Sequence, residues 1–173
     1  MCGIFGYLGH QQALPILVEG LRRLEYRGYD SIGVAVDDGE TIQTHKTVGK
    51  VSDLKSILPA SIDGTLGIAH TRWATHGGVT QANAHPHASE NGTVHLVHNG
   101  IIENFQQLRK SLSKRGVECK SETDSEVLAH MMALELEKGA EPLDAVLSTL
   151  RRLRGTWGLC IMFKELDMLV CAR

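Results

Sequence analysis

Cys2 is the residue whose position could by itself do chemistry. Once Met1 is removed, as is usual ahead of a small residue, Cys2 carries a thiol and a free α-amine on one carbon. A free thiol has a pKa of about 8.5 and an α-amine about 7.7–8.0. Near neutral pH the amine can therefore take the thiol's proton and return it to a leaving group, an N-terminal nucleophile that needs no histidine as base. If Met1 stays, the nitrogen is an amide and the chain is expected to be inactive. On its own an early cysteine is read equally well as an inert residue, whereas lipidation is excluded because no apolar signal segment precedes it.

Acyl transfer from such a thiol needs donors for an oxyanion, and Asn99-Gly100 could supply an amide side chain and a backbone N–H. The competing reading is a plain Asn-Gly turn. Arg72 offers a planar fork for a carboxylate and Asp124 a partner for an ammonium, so the two could hold an α-amino acid at both ends. A surface ion pair for Arg72, and a carboxylate favoured only by a helix N-terminus for Asp124, are the alternatives. A rival constellation is the run of His70, His76, His85, His87, His95 and His98. No H-E-x-x-H pattern accompanies it and no carboxylate lies at ligand spacing. Neither metal nor other cofactor is expected, and the histidines are expected to serve as caps or core hydrogen-bonding groups.

These residues need a scaffold, and 173 residues with 42% hydrophobic and 22% charged content suit one ordinary domain. A net charge of −2 offers no basic patch for nucleic acid, and no apolar run reaches the ~18 residues of a membrane helix. Cys2, Cys119, Cys160 and Cys171 are widely spaced without a C-x-x-C pair, which argues against a disulfide framework and for a reducing, cytoplasmic setting.

Residues 3–8 read as a strand that buries Cys2 at a sheet end, and residues 11–25 as an amphipathic helix ending at the turn 26–31. Strands are expected at 31–37 and 41–48 around an Asp38-Gly39 hairpin turn, at 65–69 and at 94–97, with a short helix at 52–58. These strands are expected to be adjacent and antiparallel. The segment 70–78 shows no clear periodicity and reads as a functional loop, with His98-Asn99-Gly100 at a strand end. Helices follow at 103–114, from a Thr123/Glu126 capping box to about 138, and at 142–153, then strands at 156–163 and 168–172. Strands before and after helices predict an α+β domain with antiparallel sheets.

Cys2-Gly3-Ile4-Phe5-Gly6, the stretch from Leu21 to Ser31 containing Arg-Gly-Tyr-Asp-Ser, His70-Thr71-Arg72-Trp73-Ala74-Thr75-His76-Gly77, Asn83-Ala84-His85-Pro86-His87, the stretch from Val97 to Asn104 and Ser121-Glu122-Thr123-Asp124 together resemble one family. It is the class II glutamine amidotransferases of the N-terminal-nucleophile group, in particular the glutaminase domain of glucosamine-6-phosphate synthases. The resemblance implies a four-layer αββα sandwich with two antiparallel sheets. It implies L-glutamine as substrate, Cys2 as nucleophile, Asn99 and Gly100 as oxyanion hole, and Arg27 as support beside Cys2. Arg72 would take the substrate carboxylate and Asp124 its ammonium, while Trp73, Thr75 and His76 would line the pocket. Residues 1–173 would then be the amidotransferase domain, expected to be cut short at its C-terminus. Its partner would be a C-terminal sugar isomerase domain of a homodimeric full-length enzyme that aminates fructose 6-phosphate. Another class II amidotransferase, a His-rich metal-binding module and a non-catalytic interaction domain are the competing readings.

Overall fold

The structure, a computed structural model, describes residues 2–74 and 77–173. Its elements in chain order are β1 (Gly3–Leu8), α1 (Ala13–Leu24), β2 (Ser31–Asp37), β3 (Ile42–Val48), α2 (Val51–Ile57), β4 (Leu66–Arg72), β5 (His87–Ala88), β6 (Val94–Ile102), α3 (Phe105–Ser113), α4 (Ser125–Glu137), α5 (Pro142–Leu150), β7 (Gly155–Phe163) and β8 (Leu169–Ala172). They build two four-stranded antiparallel sheets, ordered β1-β4-β2-β3 and β5-β6-β7-β8.

Period-two alternation decides which side chain enters which layer. In β2, Ile32, Val34 and Val36 pack under α1 with Leu14, Leu17 and Leu21, while Ala35 turns to the opposite face. In β6 and β7, Val94, Leu96, Leu159, Ile161 and Phe163 pack under α4 with Val127, Leu128 and Met132. The remaining parity, with Leu66, Ile68, Val97 and Met162, fills the space between the sheets. Three apolar layers separate four structural ones, which is the αββα arrangement.

Several expectations are corrected. β4 runs on through His70, Thr71 and Arg72, because these residues continue the ladder opposite Ile4 and Gly3 on one side and Ser31 to Gly33 on the other. Buried polar residues hide their strand from a hydrophobicity pattern. β6 likewise continues through Asn99 and Gly100 to Ile102, paired with β7, instead of ending at residue 97. Consecutive strands of the first sheet are not all neighbours, since β4 lies between β1 and β2. The short β5 was not anticipated. The Thr123/Glu126 capping box does not form: Thr123 Oγ1 meets His87 Nε2 at 3.0 Å, and the Glu126 carboxylate accepts from the N–H groups of Lys120 and Ser121. Those two residues precede the helix by several positions, so the carboxylate ties down the approach to α4 instead of its first turn.

Candidate active site

The same alternation that fills the gap between the sheets with apolar side chains turns polar at one end of it. Ile4, Ile68 and Val97 belong to that gap, and stepping along their strands by two brings Cys2, His70, Arg72 and Asn99 to its mouth. Residues 97 positions apart thereby become neighbours. Asn99 Nδ2 donates to the Cys2 carbonyl at 3.2 Å, and Arg27 Nε donates to the same oxygen at 3.2 Å. The Trp73 N–H donates to Cys2 Sγ at 3.1 Å, and the thiol faces the Trp73 carbonyl at 3.4 Å.

Cys2, Arg72, Trp73, His85, His98, Asn99, Gly100 and Asp124 line one narrow cleft. Roomier hollows of about 370–380 Å³ lie elsewhere, but neither contains a thiol, so chemistry and not volume locates the site. Arg72 is 4% exposed; burial lowers its pKa, while Cys2, Asp30, Asp124 and Glu122 favour its charge. Its Nη1 donates to the Gly78 carbonyl at 3.1 Å. Asp124 is also buried, with Oδ2 held by the Ile102 N–H at 2.8 Å, Oδ1 by Ser125 Oγ at 3.1 Å, and His98 Nδ1 3.8 Å from Oδ1. Among the described residues that is fewer hydrogen-bond partners than a carboxylate can take, so an ammonium can still be received. Gly100 has φ +133°, and a Cβ there would strike the Thr156 carbonyl. Only glycine fits where β6 must follow β7 and also open towards the cleft.

The turn expected at 26–31 does more than stop α1. Gly28 approaches the backbone of Arg72 and Trp73 so closely that a Cβ would lie 2.7 Å from the Arg72 carbonyl carbon. Asp30 then closes the contact, its N–H donating to the Arg72 carbonyl at 3.1 Å and its carboxylate accepting the Ala74 N–H at 2.8 Å. Tyr29 meets the Trp73 ring edge-on at 5.6 Å between centroids. On the far side, Glu122 accepts from Gly78 N–H and Asn83 Nδ2, and Asn83 Nδ2 also donates to the Gly78 carbonyl.

Of the residues singled out in the sequence, Cys2, Arg27, Arg72, Trp73, Asn99, Gly100 and Asp124 converge on this one end of the molecule. Thr75, His76 and Met1 lie outside the described residues. Asp30, Asn83 and Glu122 were not assigned support roles. The bonds Asp30–Ala74, Glu122–Gly78 and Glu122–Asn83 span 39 to 44 residues and carry no local signature.

Among the described residues, the His70, His85 and His87 rings pack against one another, with centroids 4.2 Å and 4.5 Å apart. Burial holds His70 and His95 down to about 4 and His85 and His87 well below the ordinary 6.5, so these rings are neutral at pH 7. Among the described residues, Cys119, Glu126 and His130 place three donor atoms within 4.8 Å of one another. His130 Nε2 faces Glu126 Oε1 at 3.4 Å; burial disfavours its charge, but Cys119 and Glu126 outweigh that and push its pKa up to about 9, so at pH 7 the ring is an imidazolium with no lone pair for a metal. The trio satisfies itself by hydrogen bonding and does not present three bare lone pairs.

Residues 70–173 match the glutamine amidotransferase domain family. Over its whole length the chain is 50% identical to the glutamine–fructose-6-phosphate aminotransferase (isomerizing) of Mesorhizobium japonicum and 46% identical to that of Thermus thermophilus. It spans 28% of the length of each of these relatives. Among solved structures, the glutamine phosphoribosylpyrophosphate amidotransferase of B. subtilis, complexed with ADP and GMP, superposes with a TM-score of 0.81 at 29% identity, covering 95% of this chain and 35% of that one. An allosteric regulatory enzyme of purine biosynthesis superposes with a TM-score of 0.82 at 30% identity, covering 95% and 36%.

Proposed function

Since the chain belongs to the glutamine amidotransferase family, we propose that it hydrolyses L-glutamine to glutamate and ammonia through a γ-glutamyl thioester on Cys2. The observation that carries this reading is the meeting of the Cys2 thiol, the Asn99 amide, and the buried Arg72 and Asp124 in one cleft. With Met1 removed, the α-amine of Cys2 takes the thiol proton as sulfur attacks the side-chain amide carbon. The oxygen becomes an oxyanion held by Asn99 Nδ2 and the Gly100 N–H. Collapse breaks the C–N bond, the amine's proton goes to the departing nitrogen, and ammonia leaves. Water then attacks the thioester, its proton passing to the amine and back to sulfur, and glutamate is released.

Arg72 pairs with the substrate α-carboxylate and Asp124 with its α-ammonium, while Trp73 lines the pocket; the lining role expected of Thr75 and His76 falls outside the described residues. Arg27 holds the Cys2 carbonyl, so the thiol and amine keep their orientation. Selectivity follows because a simple amide has neither the carboxylate nor the ammonium that Arg72 and Asp124 are placed to meet. In a longer protein like the relatives, a sugar isomerase domain would receive the ammonia and convert fructose 6-phosphate to glucosamine 6-phosphate. The identity of 46–50% to aminotransferases of that kind, against 29–30% to the solved structures compared above, favours this acceptor over a phosphoribosyl one. A nucleophilic thiol and four free cysteines fit the reducing cytoplasm.

One intact-mass experiment tests the reading: exposure to 6-diazo-5-oxo-norleucine, a glutamine mimic that alkylates such nucleophiles. The expected species lacks Met1 and carries one adduct, located on Cys2 by peptide mapping. A chain without Met1 that takes up no label, or takes it up elsewhere, overturns the proposal.

A further inference from the structure

His70 lies wholly buried against Asn99, a residue of the cleft lining, with Nε2 2.9 Å from Asn99 Oδ1. The orientation of the Asn99 amide can be settled without assuming any tautomer. The Cys2 carbonyl only accepts, and it lies 3.2 Å from Asn99 Nδ2, so the amide NH2 must face Cys2; inverted, two oxygens would meet there. Oδ1 therefore faces His70, and only an N–H on Nε2 satisfies it. That leaves Nδ1 bare, and Nδ1 has no hydrogen-bond partner among the described residues.

We propose that His70 is a positioning residue: its Nε2–H locks the Asn99 carboxamide so that the NH2 stays turned towards the reacting carbon, with one hydrogen on the Cys2 carbonyl and the second free for the oxyanion. This rests on the glutaminase reading above. An unlocked amide could rotate about its last torsion and present its oxygen to the oxyanion, turning a stabilising dipole into a repulsive one. The ring is suited to the task because it stays neutral. Burial is the largest cause and outweighs the hydrogen bonds to Asn99 and to the His98 backbone that would raise the value, so the pKa falls to about 4. The His85 ring, 4.2 Å away between centroids at a tilt of 31°, packs against it.

Two substitutions separate positioning from packing. His70→Gln keeps an N–H donor at similar reach, whereas His70→Met fills the space without one. With the chain freed of Met1, His70→Met is expected to lower kcat for glutamine hydrolysis roughly 10- to 100-fold, within the loss typical of an oxyanion donor, and to leave KM nearly unchanged. His70→Gln should recover most of kcat. Both variants should still take one 6-diazo-5-oxo-norleucine adduct, which reports an intact fold and nucleophile. In an Asn99→Ala background, His70→Met should cost nothing further, because the group it positions is gone. Unchanged kcat in His70→Met, equal loss in both backgrounds, or no advantage of Gln over Met would each overturn the proposal. Imidazole ¹⁵N spectra add a readout that needs no turnover: Nε2–H with bare Nδ1 from pH 5 to 8 is expected, and an Nδ1–H tautomer would overturn it. Failure of the parent chain to hydrolyse or be labelled, with the Nε2–H tautomer present, would instead count against the glutaminase reading.

Discussion

Asp124 shows how one side chain can be both fixed and available. The Ile102 N–H holds one oxygen while the other keeps capacity towards the cleft. Asp124→Asn retains the bond to Ile102 and loses the charge, so the fold should persist while the grip on the substrate ammonium weakens. A loss of about 1.5–3 kcal/mol is expected for a charge-assisted bond, roughly 10- to 100-fold in KM for glutamine; an unchanged KM would remove Asp124 from the site. Cys2→Ala should abolish hydrolysis while glutamine still binds, as equilibrium titration would show, and detectable turnover would end its role as nucleophile. At this scale most of the cleft was legible. Cysteine at residue two, an Asn-Gly pair, an Arg and an Asp each admit a bland reading, and only their company in one set of motifs singled them out. His70 was legible as a histidine but not as Asn99's partner, since that depends on two strands from different sheets facing each other.

Among the elements, β6 carries the most constraint in one position. Gly100→Ala would force a Cβ into the Thr156 carbonyl at φ +133°. The backbone strain alone is expected to cost about 1–3 kcal/mol, read as a lower midpoint in urea unfolding; an unaltered midpoint would mean that the β6–β7 ladder has slack there. The approach to α4 makes a different prediction. Burial would raise the Glu126 pKa, but hydrogen bonds from His130, from the Ser121 hydroxyl and from the N–H groups of Lys120 and Ser121 outweigh it and hold the value at about 2, against the ordinary 4.5. Because the folded value lies below the unfolded one, this stabilisation is complete above pH 4.5 and drains away as pH falls towards 2. Glu126→Gln should flatten the stability profile across that interval and cost on the order of 1–3 kcal/mol at pH 7. A profile as steep as the parent's would place the acid sensitivity elsewhere. The element boundaries explain which strands were misread: β4 and β6 were cut short where they turn polar, because a pattern search looks for apolar alternation and the site replaces it with His70, Arg72 and Asn99.

The whole molecule is a stack of two sheets between helices, and its chemistry sits where the gap between the sheets opens. Ile68→Ala, within that gap, should cost about 2–5 kcal/mol as a cavity in a fully buried layer, and thermal unfolding would register it. The proposed hydrolysis is expected to release glutamate and ammonia in equal amounts, and unequal release would contradict it. None of the described helices is long and apolar enough to cross a membrane.

What the sequence determined by itself was local and periodic. The hairpin at Asp38-Gly39, the apolar stripe of α1, the succession of strands and helices, and a thiol placed where its own amine could be its base all follow from neighbours a few residues apart. Tertiary structure alone decided that β4 lies between β1 and β2, that Arg27 and Asn99 share the Cys2 carbonyl, and that Asp30 and Glu122 hold the two sides of the segment after Arg72. The physical reason is that these hydrogen bonds join residues 25 to 97 positions apart. Their energy is collected only once two sheets have packed face to face, and nothing in the local pattern of either partner records it.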